Sequence, residues 1–261
     1  MSTDIKRRRL RTIEVEGKVM PQSSQVSQAK QPKVIVAIPC FNTESFITDV
    51  VSKAKKYVDQ VIVIDDGSHD STAEAARAAG ALVISHGTNR GYGKAIKSCF
   101  EAAKANAADV LVILDGDGQH NPDEIPKLLT PILRGEADVI IGSRFLAKKR
   151  SMPRYRKFGI DVITFLWNFS SKVEVSDAQS GFRAYSKKIF ETFSFSERGM
   201  SISIEILEKA RRSRAIIKEV PISCLYAPST LNLKAIRHGL SVALSVVRVR
   251  LKNYPAQVEQ R

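Results

Sequence analysis

Residues 110–120 read Val-Leu-Val-Ile-Leu-Asp-Gly-Asp-Gly-Gln-His, an apolar run that ends in two acids separated by one glycine. The apolar part lacks alternating polar positions, which predicts a strand buried on both faces, as in a parallel sheet covered by helices. Four further runs share this character, at residues 34–38, 61–64, 81–84 and 139–141. Between these runs the sequence predicts helices at about 44–57, 71–79, 93–106 and 122–133. The alternation predicts an α/β fold with a doubly wound, mostly parallel sheet and helices on both faces.

Two of these predicted helices have clear start signals. Ser71 and Glu74 have the spacing of a capping box, in which each side chain accepts a backbone N–H of the first turn. Asn121 precedes Pro122 and two acids, which is typical of a capping residue followed by a first helical turn.

The chain divides into three parts of different composition. Residues 1–32 are polar and carry a basic cluster at 6–11, which predicts a disordered basic tail; contact with nucleic acid or anionic lipid is the alternative. Residues 33–230 form the predicted folded domain, with irregular later elements: helices at 155–172 and 201–212 and a strand at 215–220. Residues 231–261 predict a C-terminal amphipathic basic helix.

Composition excludes several classes of protein. The 261 residues are 43% hydrophobic and include three cysteines, which gives a globular chain without a disulfide framework, as expected in the cytosol. The sequence has no uncharged apolar stretch of about 18 residues, so it predicts no transmembrane helix. The net charge is +14, and residues 1–142 carry 18 basic and 18 acidic side chains, whereas 143–261 carry 23 and 9. The basic second part suggests an anionic partner.

Chemistry is expected beyond the carboxyl ends of the strands, where doubly wound sheets bind ligands. The first strand leads into Pro-Cys-Phe-Asn-Thr-Glu at 39–44, and the missing Gly-x-Gly argues against a nicotinamide or flavin site. The second ends in Asp-Asp-Gly-Ser at 65–68, which could bind a base or ribose, or simply form a turn and helix cap. The glycine-rich segment 87–94 fails the P-loop spacing, yet it suits a phosphate or nucleotide as well as it suits a flexible turn.

Asp115 and Asp117 are the most informative pair. Carboxylates at i and i+2 that leave a strand can converge on one hard divalent cation, and Mg²⁺ or Mn²⁺ then completes its shell with substrate phosphates. A calcium-binding EF-hand is excluded, because His120 and Pro126 stand where that loop needs Gly and Glu. An acidic, solvated turn is the structural alternative.

Two arginines stand beside small residues. Arg144 follows Gly142 and Ser143, and Arg183 follows Ser180, Gly181 and a phenylalanine. Such surroundings suit phosphate binding, although an arginine taken alone is more often a surface residue.

The order of these motifs resembles that of inverting glycosyltransferases of family 2, which have the GT-A fold. The motifs lie at residues 38–44, 65–68, 115–120, 142–144 and 180–183. Within that family the sequence is similar to dolichyl-phosphate mannose synthases and related polyprenyl-phosphate sugar transferases, over about residues 33–190. Phe41 departs from the tyrosine usual in the family, so a hydroxyl contact is lost there. Many relatives carry a C-terminal membrane segment, and residues 231–261 do not resemble one.

The resemblance implies roles for individual residues. A nucleotide-sugar donor would be bound at the strand ends by Pro39, Phe41, Asn42, Glu44, Asp65, Asp66, Gly67, Lys94, Asp115 and Gly116. Mg²⁺ or Mn²⁺ would be held by Asp115, Asp117 and Gln119, and phosphates of donor or acceptor would face Arg144, Arg154 and Arg183. The implied catalytic residues are Asp117, Asp177 and Arg183, with Asp177 near the acceptor.

The acceptor decides what Asp177 does. The implied reaction is direct displacement at the sugar's anomeric carbon with inversion, from GDP-mannose or a UDP-hexose. A polyprenyl or dolichyl phosphate is already largely anionic at pH 7 and needs no strong base, since its second pKa is near 6. A hydroxyl acceptor on a glycan or small molecule needs a base, and Asp177 is then the candidate.

The basic second part favours a lipid phosphate. Six apolar residues recur at helical spacing in the predicted last helix, namely Leu233, Ile236, Leu240, Leu244, Val247 and Leu251. Such a helix, flanked by a basic stripe, could lie on an anionic membrane, or it could pack on its own domain or in a homodimer. Basic residues at 148–150 and 154–157 precede the apolar stretch 158–169. The basic residues could contact lipid head groups with the apolar stretch behind them, or they could form a basic loop before a core helix. We therefore expect a cytoplasmic protein, peripheral on a membrane and without a transmembrane helix.

Three other classes explain less. A nucleic-acid-binding protein would account for the basic half but not for the Asp-x-Asp motif, and no such binding motif is present, so no nucleic acid partner is expected. A nucleotidyltransferase would need a glycine-rich loop after the first strand. A catalytically silent membrane scaffold would leave clustered carboxylates to repel one another without a use.

Overall fold

A computed structural model of the chain describes residues 31–147, 152–169, 173–196 and 199–226. The predicted basic tail, apart from its last two residues, and the predicted helix at 231–261 lie outside these ranges. So do Lys148, Lys149 and Arg150.

A single seven-stranded sheet organises the described residues. Its strands are β1 Val34–Cys40, β2 Gln60–Asp65, β3 Leu82–Ser85, β4 Val110–Ile113, β5 Val139–Ser143, β6 Arg183–Ser186 and β7 Ile217–Pro221. They lie in the order β3-β2-β1-β4-β6-β5-β7, and every pair is parallel except those that involve β6. The predicted mostly parallel sheet is confirmed, but the antiparallel strand β6 was not predicted.

Helices cover both faces of this sheet. They are α1 Glu44–Ala54, α2 Thr72–Ala78, α3 Tyr92–Ala105, α4 Ile125–Leu133, α5 Arg154–Asn168, α6 Lys187–Thr192 and α7 Ile202–Arg212, with short 3₁₀ turns at Pro122–Glu124 and Gly199–Ser201. Helices α1, α2 and α4 pack on the face that carries Val36 and Ile38, and α3, α5, α6 and α7 pack on the face of Ile35 and Ala37. Both faces of β1 are therefore buried, as its uniform apolar run predicts.

The two predicted helix starts differ in outcome. The Asn121 side chain accepts the N–H of Asp123 at 3.1 Å, which confirms it as a capping residue. Ser71 does precede α2, but its side chain makes no capping hydrogen bond. The Ser71 N–H, which Glu74 of a capping box would accept, donates to the Glu44 carboxylate at 2.9 Å, so α1 supplies the cap instead.

One edge of the sheet gathers the loops that carry the motifs. The carboxyl ends of β1, β2, β4 and β5 lie there, and because β6 runs the other way its amino end lies there too. The chain after β7 returns to this edge: His120 and Cys224 form an antiparallel bridge, and the Leu225 N–H donates to the Gln119 carbonyl at 2.8 Å. The end of the described chain therefore borders the loop after β4.

Candidate active site

The loop after β4 places three oxygen-bearing side chains together. Asp117 accepts two hydrogen bonds from Gln119, from its backbone N–H at 3.0 Å and from its side-chain Nε2 at 2.7 Å. Asp115 begins the loop, and 29% of its side chain is exposed. Two carboxylates and one amide therefore share a short turn at the carboxyl edge of the sheet.

Two glycines allow this loop to pack closely on its neighbours. A Cβ added to Gly116 would collide with Sγ of Cys40 at the end of β1. A Cβ added to Gly181, just before β6, would collide with Oδ2 of Asp115. The segment before β6 thus lies directly against the first carboxylate, which no side chain larger than hydrogen would permit.

The electrostatics of Asp115 suit a cation. Burial, followed by the charge of Asp117, raises the pKa of Asp115 to about 7, against the hydroxyl of Tyr92 at 3.3 Å and the charges of Arg144 and Arg183, which lower it. A hard divalent cation would relieve this repulsion, and two carboxylates with an amide are oxygen donors of the kind it prefers. Within the described ranges, no group of three or more His, Cys, Asp or Glu is placed to hold a metal, so a cation here would depend on few protein ligands.

The loop after β1 is tied to the loop after β2. Asn42 has a left-handed φ of +53°, and its N–H donates to Ser68 Oγ at 3.0 Å while its Oδ1 accepts the His69 N–H at 2.9 Å. Glu44 joins Ser71 in the same way. Phe41 is 41% exposed, and its ring forms a T-shaped pair with the ring of His69. The predicted donor residues Asn42 and Glu44 therefore brace the two loops, and Phe41 faces outward.

Asp66 is buried and closes the next loop. Its carboxylate accepts the N–H groups of Arg90 at 3.0 Å and Gly91 at 2.8 Å, and Nδ1 of His86 lies 2.7 Å from its Oδ1. Sequence reasoning missed His86, because nothing in its local pattern indicates a contact with a residue on another strand. Asp66 thus fixes the segment that leads into α3.

The remaining predicted donor residues surround these loops. Asp65 accepts hydrogen bonds from the Ser68 N–H at 3.0 Å and Ser85 Oγ at 2.9 Å. Pro39 is buried in β1, and Gly67 lies in the turn after β2 with φ +75°. Lys94 projects from the first turn of α3, 38% exposed and 3.7 Å from Glu101. All of them belong to the same edge of the sheet.

Arg144, which follows β5, and Asp177, which precedes β6, form a buried ion pair. Asp177 is fully buried and accepts from Arg144 Nε at 2.7 Å, Nη2 at 2.8 Å and the backbone N–H at 3.1 Å. Burial alone lowers the pKa of Arg144, but the hydrogen bonds and charge of Asp177 outweigh it and raise that pKa. With both carboxylate oxygens engaged, Asp177 is placed to hold Arg144 rather than to accept a proton.

Residues far along the chain support this pair. Glu219 on β7 accepts the N–H groups of Ser176 at 2.7 Å and Asp177 at 3.1 Å. The Tyr226 hydroxyl lies 3.4 Å from Nη1 of Arg144. Neither Glu219 nor Tyr226 belongs to a sequence motif, so sequence reasoning had no signal for them.

Arg183 is placed differently from the expectation that it faces a phosphate. It is 2% exposed, and its guanidinium donates to the carbonyls of Ser203 at 3.0 Å and Ala178 at 2.7 Å. Because its position on β6 directs it to the face covered by α7, it holds backbone in place instead. Arg154 begins α5, but its side chain lies outside the described part of the structure.

His120 lines the buried wall beside Asp115. Burial, with a further contribution from Arg144, lowers its pKa to about 3 in spite of the charge of Asp177, so the imidazole is neutral. Its ring packs on Phe182, and its Nδ1 lies 3.9 Å from Asp115 Oδ2, too far for a hydrogen bond. Within the described residues this Nδ1 has no hydrogen-bond partner.

The arrangement of strand-end motifs has a counterpart in a known family. The model of glycosyl transferase family 2 matches residues 35–193, which span β1 to the end of α6. The chain is a family 2 glycosyltransferase. The resemblance noted on the motifs is thereby confirmed.

Relatives of this glycosyltransferase include named enzymes. It is 30% identical to the UDP-N-acetylglucosamine–dolichyl-phosphate N-acetylglucosaminyltransferase of Methanococcus voltae, over 74% of this chain and 86% of the relative. It is 31% identical to the dolichol-phosphate mannosyltransferase of Pyrococcus furiosus, over 73% of this chain and 56% of the relative.

The fold of this glycosyltransferase matches solved structures. Glucosyl-3-phosphoglycerate synthase from Mycobacterium tuberculosis, in complex with Mn²⁺ and uridine-diphosphate-glucose, superposes with a TM-score of 0.67 and 23% identity. The match covers 85% of this chain and 79% of that one. It bears out the predicted GT-A architecture.

Proposed function

We propose that the protein is a metal-dependent, inverting hexosyltransferase that moves a sugar from a nucleotide-sugar onto a polyprenyl or dolichyl phosphate. The observation that carries this proposal is the loop after β4, which brings Asp115, Asp117 and Gln119 to the carboxyl edge of the sheet. Arg144, held by Asp177, follows β5 at the same edge, and its charge lowers the pKa of Asp115. A donor diphosphate needs a cation held by carboxylates, and an acceptor phosphate needs a fixed positive charge.

On the donor side, Asp115, Asp117 and Gln119 would hold Mg²⁺ or Mn²⁺. When bound, the cation offsets the negative charge that grows on the departing nucleoside diphosphate. The contact between Gln119 and Asp117 keeps these two side chains together, and Gly181 lets the acceptor segment approach Asp115. Mn²⁺ accompanies a nucleotide-sugar in the structurally similar synthase, which supports the choice of ion.

The nucleotide would bind along the loops after β1 and β2. The exposed ring of Phe41 offers a surface on which a base can stack, and Lys94 offers a charge at the start of α3. Pro39, Asn42, Glu44, Asp65, Asp66, Gly67 and Gly116 would shape this pocket, chiefly through the hydrogen bonds that close its loops. GDP-mannose and UDP-hexoses are the donors to test, since relatives are named for N-acetylglucosaminyl and mannosyl transfer.

On the acceptor side, Arg144 would face the lipid phosphate, with Arg154 nearby in the chain. Asp177 would hold the Arg144 guanidinium in one orientation, because its two oxygens accept from Nε and Nη2. A phosphate acceptor is already anionic at pH 7, so the reaction requires no strong base. The engagement of Asp177 therefore favours a lipid phosphate over a hydroxyl acceptor, and both named relatives act on dolichyl or dolichol phosphate.

A lipid acceptor requires that the protein approach a membrane. Phe158, Val162 and Phe165 are 71%, 37% and 65% exposed along one side of α5. In the sequence, residues 148–157 include six basic residues and no acidic one. No helix in the described part of the chain is long and apolar enough to cross a membrane. We propose peripheral attachment to an anionic, cytoplasmic membrane face through this side of α5.

The proposal is tested by sugar transfer into an organic-extractable product. Purified protein receives polyprenyl phosphate, Mg²⁺ or Mn²⁺ and, in parallel, labelled GDP-mannose, UDP-glucose or UDP-N-acetylglucosamine. A labelled lipid with one donor is the expected result, and EDTA should abolish it. Metal-dependent hydrolysis of a donor with no lipid product would contradict the lipid acceptor and shift the search to hydroxyl compounds.

A further inference from the structure

A buried chain of hydrogen bonds lies behind the donor pocket. His86, just after β3, has Nδ1 2.7 Å from Asp66 Oδ1 and Nε2 2.9 Å from Ser98 Oγ on α3. The side chains of His86 and Asp66 are 6% and 5% exposed, and Ser98 is 8% exposed. The imidazole thus joins the end of β2 to the middle of α3.

This Ser-His-Asp sequence of contacts is not a nucleophilic triad. Ser98 is among the buried residues of α3, which packs on the sheet. A catalytic serine must reach a substrate carbonyl, which a side chain enclosed between helix and sheet cannot do. The contacts therefore serve to position something else.

What they position is the start of α3. Asp66, held by His86, accepts the N–H groups of Arg90 and Gly91, the two residues that precede the helix. The next residue, Tyr92, reaches across to Asp115, with 3.3 Å between its hydroxyl and Oδ1. An unbroken path of short contacts leads from Ser98 through His86, Asp66 and the α3 start to the first carboxylate after β4.

We propose that His86 and Tyr92 are positioning residues of the transfer site: His86 fixes the donor-side loop, and Tyr92 transmits that fixed geometry to Asp115. The inference rests on the proposed function, because it takes Asp115 as a metal ligand and residues 86–94 as part of the donor pocket. Outer partners that orient a metal-binding carboxylate typically matter about 10- to 100-fold in metal affinity.

The two residues have different expected signatures. Tyr92→Phe keeps the ring in the core and removes only the hydroxyl that donates to Asp115, so Mn²⁺ affinity should fall about tenfold. Binding of a nucleoside diphosphate without metal should not change in this variant. His86→Ala releases the Asp66 carboxylate and the α3 start together, so both Mn²⁺ affinity and nucleotide affinity should fall.

The experiment uses the full chain and does not depend on turnover. Mn²⁺ binding is measured by electron paramagnetic resonance with and without GDP or UDP, and GDP and UDP binding are measured by calorimetry in EDTA. Tyr57→Phe is the matched control, because it removes a hydroxyl–carboxylate hydrogen bond of the same kind, at 2.9 Å to Asp123, away from this path. If His86→Ala does not fold, Ser98→Ala removes the outer contact alone and should lower both affinities to a smaller extent.

The outcomes distinguish the inference about Tyr92 and His86 from the proposed function on which it rests. Wild-type protein that binds Mn²⁺, with Tyr92→Phe binding it equally well, would overturn the inference and leave the proposed function standing. Wild-type protein that binds no Mn²⁺ even in the presence of GDP or UDP would overturn the metal site and the inference with it. A weakened Tyr92→Phe beside an unchanged Tyr57→Phe supports the path.

Discussion

The two sides of the candidate site are built in different ways. On the proposed donor side, the loops after β1, β2 and β3 are closed by hydrogen bonds that Glu44, Asp65 and Asp66 accept. The sequence up to residue 142 carries equal numbers of acidic and basic residues, 18 of each. The proposed acceptor side combines the buried ion pair of Arg144 and Asp177 with exposed apolar side chains on one side of α5, in a part of the chain with 23 basic and 9 acidic residues.

The difference indicates how each proposed substrate would bind. A pocket whose loops are already held loses little conformational entropy when a compact, soluble donor binds. An open surface with basic and apolar residues suits an acceptor that is embedded in a membrane, such as a lipid phosphate. The predictions below test this division, beginning with the largest expected effect.

Asp117→Asn should abolish transfer by removing a charged ligand from the donor side. A metal ion that stabilises a leaving diphosphate contributes several kcal/mol, so a loss on the order of 1,000-fold is expected. The measurement is labelled-sugar transfer under saturating Mn²⁺, with thermal unfolding to verify the fold. Asp123→Asn, the same change at an exposed residue six positions further on, should retain activity. A fully active Asp117→Asn protein would remove the metal-site proposal.

Asp177→Asn should destabilise the acceptor side. Arg144 would lose its charged partner in a buried position, which costs about 3–5 kcal/mol in the free energy of unfolding. Urea denaturation measures that loss, and the KM for polyprenyl phosphate should rise as Arg144 loses its fixed orientation. Asp161→Asn, which breaks the exposed ion pair with Lys157, should cost about 1 kcal/mol or less. Unchanged stability with kcat lost would instead make Asp177 a base and favour a hydroxyl acceptor.

Gly181→Ala should disturb the contact between the two sides. The added methyl group would collide with Oδ2 of Asp115, so we expect the carboxylate to move and transfer to fall at least about tenfold. Gly159→Ala in α5 is the control, because a Cβ there meets nothing within 4 Å. Steady-state rates of both proteins against wild type make the comparison. Equal activity of the two variants would show that Asp115 tolerates displacement.

Replacing Phe158 and Phe165 with Ser should give the smallest effect, confined to membrane association. Both rings are exposed, so stability should change by less than about 0.5 kcal/mol each. Co-sedimentation with anionic vesicles should weaken about tenfold, while transfer to a detergent-dispersed acceptor stays at the wild-type rate. Leu82→Ser, at the opposite edge strand and 44% exposed, should leave vesicle binding unchanged. Equal vesicle binding by the Phe variant would exclude this side of α5 as the attachment surface.

Much of the sheet could be predicted from the sequence, because β1, β2, β4 and β5 are buried on both faces and each therefore contains an uninterrupted apolar run. The motifs at their ends could be placed for the same reason. Strand β6 could not, since it has four residues, starts with Arg183 and carries no apolar run. Its pairing depends on partners 70 to 76 positions away in β4, which no local pattern records.

The partners of the site residues were also beyond local reasoning. Arginine is usually exposed, so nothing in the sequence distinguishes the buried Arg183 from the ion-paired Arg144. Asp66 was predicted to touch the nucleotide, but three groups from later in the chain already occupy its carboxylate. Which groups hydrogen-bond to a carboxylate depends on tertiary packing, whereas the position of the motifs at the strand ends follows from the sheet topology.

The antiparallel strand β6 also acts as a spacer. Because it lies between β4 and β5, the strands that lead to Asp115 and Arg144 stand two strand spacings apart, about 9.5 Å. A fully parallel sheet with β4 next to β5 would halve that width. The segment that enters β6 also passes through the gap, so substitutions at 176–182 can alter what fits between donor and acceptor without touching the nucleotide loops. The proposed site therefore predicts that acceptor preference can diverge in this architecture while the donor remains the same.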